Sequence, residues 1–95
     1  MREIAERQFD SVWDALEAEA AEAENRRLRS ALMIAITEQV KAKGWTQTVA
    51  ASHCGLTQPR VNDLMRGRIS RFSLDALVNI ASALGLQVRL EVSVA

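Results

Sequence analysis

The chain has 95 residues, with 12 Lys and Arg against 12 Asp and Glu, 48% hydrophobic residues, and one each of Cys, His and Pro. That length holds one small domain with a limited core. A single cysteine excludes a disulfide framework, and one Cys beside one His excludes a zinc cluster built from Cys and His ligands.

No apolar run reaches the roughly 20 residues of a membrane helix; the longest is Ala31 to Ile36. The opening MREIAERQFD carries charges of both signs and does not read as a signal peptide. A reducing, cytoplasmic setting is expected. The formal charge of zero conceals opposite segments. In residues 1–24, eight acidic residues against Arg2 and Arg7 leave −6; in 25–72, nine basic residues against Glu38 and Asp63 leave +7; the remainder carries −1. Such asymmetry points the basic part toward nucleic acid.

Phe9, Val12, Trp13 and Leu16 fall at i, i+3, i+4 and i+7, which predicts an amphipathic helix from about Asp10 into the tract EAEAAEAEN. A second helix is expected to carry Leu28, Leu32, Ala35, Ile36 and Val40 and to stop at Gly44. Thr46 is an N-cap for a short helix, Gln47 to His53, with Trp45 packing back on its first turn. Cys54, Gly55 and Leu56 make a turn. Thr57 caps the next helix, Gln58 to Met65, with Pro59 in its first turn. Ser73 caps the last, whose inner side is Leu74, Leu77, Ile80, Ala81 and Leu84. Beyond Gly85 the period changes: Leu86, Val88, Leu90, Val92 and Val94 alternate with polar residues, which predicts a strand. A lone strand leaves its ladder groups unpaired, so it is expected to pair with a second molecule, in a dimer or a strand-adding complex.

Gln47 to Leu64 carries the requirements of a helix-turn-helix: small Ala51 where the second helix crosses, Gly55 in the turn, and Val61 and Leu64 facing inward. Pro59, Asn62, Asp63 and Arg66, with Gln58 and Arg60 at the margins, are then expected to face outward as a reader of the major groove. Asp63 puts a negative charge on that face and is expected to pair with a neighbouring Arg or Lys. His53 and Cys54 do not face each other on a helix and find no third ligand; Cys54 and Trp45 read as core.

The segment WTQTVAASHCGLTQPRVNDLMRGRISRFSLDALVNIASALG resembles the Xre/Cro class of DNA-binding domains. With the C-terminal alternation it resembles the HigA-type antitoxins of bacterial toxin–antitoxin modules. The resemblance implies a mainly α, five-helix Cro/C1-type helix-turn-helix fold with an acidic N-terminal helical arm (1–24), the DNA-binding domain over residues 25–85 and a single C-terminal β-strand (86–95) pairing across a dimer. It further implies binding of a palindromic double-stranded operator as a homodimer, autorepression, and pairing with a RelE/HigB-like ribonuclease toxin. Gln47 corresponds to the family's phosphate-contacting glutamine and Gln58 to the glutamine that reads a base edge. Asn62 can do similar work one turn later, and Arg60, Arg66, Arg68 and Arg71 have the reach for phosphates or, for Arg60, a guanine edge. Pro59 removes a side chain that often reads sequence in the family.

The stripe Phe9, Val12, Trp13 and Leu16 has two readings: packing on the protein's own helices, or docking on a basic toxin. Alternatives to the antitoxin are a stand-alone phage-type repressor and a protein-interaction module that has lost DNA contact. With no nucleophile beside a base, no carboxylate pair in a pocket and no phosphate loop, no enzyme, cofactor, metal or small-molecule substrate is expected.

Overall fold

A computed structural model describes residues 2–94, with side chains from residue 11 onward. Its elements are α1 (Arg2–Ala42), α2 (Gln47–Cys54), α3 (Gln58–Met65), a 3-10 turn (Ile69–Arg71) and α4 (Leu74–Ala83). The two N-terminal helices expected from the sequence are one helix of 41 residues, so the described residues form four α-helices where five were expected. The tract between the apolar stripes explains the fusion. Ala and Glu are strong helix formers, and neither Gly nor Pro falls between Arg2 and Ala42 to break the run.

Only the second half of α1 carries the rest of the fold. Met33, Ile36 and Val40 are buried on it, and the stripe begins one turn earlier with Arg29, which is 9% exposed. Met33 and Arg29 therefore replace the expected Ala35, which is exposed. Around this half close Ala50, Ala51, Cys54, Val61, Leu64, Leu77 and Ile80, with Leu32, Trp45, Leu56 and Leu86 at the margin. Residues 11–24 are exposed throughout, and the molecule measures 63 Å along its long axis.

The expected C-terminal strand is absent among the described residues: 86–94 have no regular secondary structure. Alternation specifies which side chains can share a face, but a strand exists only with a second ladder to pair with, and no other described segment is extended beside this one. The tail is instead governed by the end of α4. Leu86 N–H donates to Ala81 O at 2.9 Å, Gly85 takes a positive φ of 79°, and Leu86 packs on the core. Beyond it exposure rises from 46% at Val88 to 78% at Leu90, 81% at Val92 and 100% at Val94.

Candidate nucleic-acid interface

The helix pair α2–α3 is set by its caps and its turn. Thr46 Oγ1 accepts from Val49 N–H at 3.2 Å and Thr57 Oγ1 from Arg60 N–H at 3.4 Å, each satisfying an otherwise orphaned donor of a first turn. Between them Gly55 adopts φ 68°, and its N–H bonds Ala51 O. Leu56 N–H reaches the same carbonyl at 3.0 Å. This left-handed C-cap turns the chain sharply enough for Val61 and Leu64, both fully buried, to seat against Ala51 and Cys54. Burial pushes the Cys54 thiol above its ordinary range, which suits an inert core residue rather than a nucleophile. Trp45 and His53, at the two ends of α2, stack with ring centroids 3.9 Å apart and planes within 2°. Among the described residues no cluster of His, Cys, Asp or Glu could hold a metal ion.

On the outer side, Gln47, Gln58 and Pro59 are exposed and Asn62 is half-buried. Gln58 Nε2 donates to Thr48 Oγ1 at 3.0 Å, so the first side chain of α3 is held to the first turn of α2. Thr48 is a positioning residue that the sequence reading missed; its only sequence signal is its place beside Gln47 at the start of the motif.

Of the residues expected to face outward, Asp63 is buried and Arg60 half-buried. Asp63 is 7% exposed and its Oδ1 accepts from Arg68 Nη1 and Arg71 Nη1, each at 3.0 Å. Burial pushes its carboxyl up, but the hydrogen bonds and charges of Arg71 and Arg68 outweigh that and hold it below its ordinary range. Asp63 thus pairs with arginines, as its charge suggested, but from the inner edge of α3. Arg60 lies with its guanidinium carbon 4.1 Å from the Phe72 ring centroid and donates to Arg71 O at 2.8 Å. It braces the 3-10 turn rather than standing free to reach a base.

The arginines expected at phosphates sort accordingly. Arg66, the C-cap of α3, is exposed. Arg68 and Arg71 are collected by Asp63 onto one carboxylate, with 38% and 55% of their side chains still accessible. A carboxylate shared by two guanidiniums leaves a net positive charge and restrains the rotation of both.

The turn that carries Arg71 is anchored from behind by Arg29. Its Nη1 donates to Ile69 O at 3.0 Å and more distantly to Phe72 O at 3.5 Å; its Nε reaches Asn25 Oδ1 at 2.6 Å and its Nη2 Glu22 Oε1 at 2.9 Å. Sequence gave no sign of this beyond its spacing with Met33 and Ile36, since an arginine on a charged helix reads first as solvated.

The remaining expectations lie outside this head. Val12, Trp13 and Leu16 sit on the N-terminal half of α1, at 57%, 50% and 51% exposure; the side chain of Phe9 lies outside the described residues. Leu86, Val88 and Leu90 run past α4, and Val88, Arg89 and Leu90 line an apolar groove of about 400 Å³ with Leu28, Leu32 and Val78. No helix is long and apolar enough to cross a membrane among the described residues.

A family model for helix-turn-helix domains matches residues 15–93. A solved structure described as an XRE family transcriptional regulator is similar at a TM-score of 0.72 and 26% identity, over 78% of this chain and 83% of that one. No curated protein matches the sequence. The match spans most of the chain and coincides with the capped, glycine-turned helix pair: this protein belongs to the helix-turn-helix domain family, and its fold is that of an XRE-type DNA-binding regulator.

Proposed function

We propose that this protein is a dimeric transcriptional autorepressor that reads a palindromic operator through α3. The observation that carries the reading is the start of α3: Gln58 is exposed, held by Thr48 at 3.0 Å, and followed one turn later by Asn62, with Arg66, Arg68 and Arg71 beyond the helix. A glutamine or asparagine offers the bidentate match to adenine in the major groove, and the arginines supply the phosphate contacts that position the helix. Bound at its own promoter, a dimer of such heads occludes polymerase.

The test is quantitative footprinting of the upstream region with Gln58→Ala and Asn62→Ala. Each lost base contact is expected to weaken specific binding by about 1–3 kcal/mol, with nonspecific binding little changed. Specific binding that is indifferent to both substitutions refutes α3 as the reader.

A second reading, antitoxin to a RelE/HigB-like ribonuclease, is supported by the projecting half of α1. It carries six acidic residues and no basic one between Asp10 and Glu24, beside the exposed Val12, Trp13 and Leu16, a surface suited to a basic partner. A toxin gene adjacent to this one, and loss of toxin capture in Leu16→Asp, are the expected results. Capture unaffected by that substitution refutes the arm as the neutralising surface.

A further inference from the structure

The N-terminal half of α1 and the groove beside its other half are complementary. Along the helix, Trp13, Leu16, Ala20, Ala23, Arg27, Ser30, Ile34, Thr37 and Lys41 follow one another at alternating steps of three and four, the spacing of a coiled-coil seam. Its first part is an exposed apolar stripe on an acidic helix. Its last part runs along a hollow in the head: two contiguous depressions of about 460 and 520 Å³ share Ser30, Ile34 and Ile69, and Ile34 lies 56% exposed at their junction. Met65 and Arg66 border one end, Arg26 and Arg27 the other.

We propose that this groove receives the acidic arm of a second copy, the two α1 helices pairing antiparallel. This rests on the dimeric reading above and names the surface that makes the dimer. Charge selects the direction. Residues 10–24 carry −6, whereas 25–42 carry +3, with Arg26, Arg27, Arg29 and Lys41 against Glu38. Antiparallel pairing sets −6 against +3 on both sides of a two-fold axis; parallel pairing sets −6 against −6. In the register that brings Leu16 onto Ile34, Ala20 meets Ser30, two small residues that allow close approach, and Ala23 meets Arg27.

At 1.5 Å per residue this register separates the two Ile36 anchor points by about 33 Å along the pair. Successive major-groove half-sites lie about 34 Å apart. The arm therefore both closes the dimer and spaces its reading heads. A toxin that used the same stripe would have to displace the second copy.

The test uses the full chain with its native, buried Cys54. Leu16→Cys combined with Ile34→Cys is expected to give disulfide-linked dimers on mild oxidation, and neither single variant is. Cross-linking of either single variant as efficient as that of the double variant indicates parallel pairing and overturns the proposal. Ile34→Lys and Ile34→Glu lose the same apolar contact at an exposed site but place opposite charges against the acidic arm. Sedimentation is expected to show the Lys variant dimerising about tenfold or more tightly at low salt, the gap closing as salt rises. Equal dimerisation of the two overturns the proposal. A wild-type chain that remains monomeric overturns both the pairing and the dimeric reading. A wild-type dimer that gives no Leu16–Ile34 cross-link overturns this surface alone.

Discussion

Arg29 is expected to hold the DNA-binding head onto its long helix, and replacing it with Ala isolates that contribution. The substitution removes the donor to Ile69 O at 3.0 Å, to Phe72 O at 3.5 Å and to Asn25 Oδ1 at 2.6 Å. The side chain is only 11% accessible, so water does not readily take over those acceptors. Leaving a buried acceptor unpaired costs about 1–3 kcal/mol. One well-placed and one weaker carbonyl contact, with the lost packing of the arginine stem, amount to about 2–4 kcal/mol. A chain of 95 residues has a total stability of about 5–14 kcal/mol, so much of its margin is at stake, and the melting temperature is expected to fall by at least 8 °C. Urea denaturation followed by circular dichroism measures the difference. Arg26→Ala is the control: its side chain is 64% accessible and its contact with Glu22 is 4.0 Å long, so a change within about 0.5 kcal/mol is expected. If Arg29→Ala costs no more than Arg26→Ala, the anchoring role is refuted.

Arg66→Ala is expected to weaken operator and nonspecific DNA alike and to lower the salt slope of binding by about 1, read from titrations at several salt concentrations; an unchanged slope removes Arg66 from the phosphate contacts. Asp63→Asn tests the arginine pair through pH. A carboxyl held below its ordinary range stabilises the fold above that range and loses the contribution as pH falls through its folded value. Wild type is therefore expected to exceed the variant in stability at neutral pH, with the gap closing in acid; a gap independent of pH refutes the ionised bridge. Gly55→Ala places a Cβ in open space but at φ 68°, so a loss of about 1–2 kcal/mol from backbone strain alone is expected in denaturant melts.

Local rules decided those features whose cause lies within a few residues. Thr46, Thr57 and Ser73 each cap the helix they precede, and Gly55 takes the left-handed turn, because a hydroxyl acceptor and a missing Cβ act over one turn of chain. The inward pair Val61 and Leu64 was legible for the same reason: helical spacing places both on one side. The polar outer side of α3 was legible in part: Gln58 is exposed and Asn62 half-buried.

Tertiary structure decided the rest. Asp63 turns inward and Arg60 lies over Phe72 because Arg68, Arg71 and Phe72 come back against α3 from a loop whose path no local rule specifies. Arg29 is buried because the 3-10 turn lays two carbonyls over it. The C-terminal alternation made no strand, since a ladder needs a second edge that no periodicity can supply. Sequence by itself determined that the chain holds a capped helix pair with a polar face and opposite charges in its two parts. The tertiary structure determined which of those charges face solvent and which brace the fold, because desolvation and pairing depend on what packs opposite.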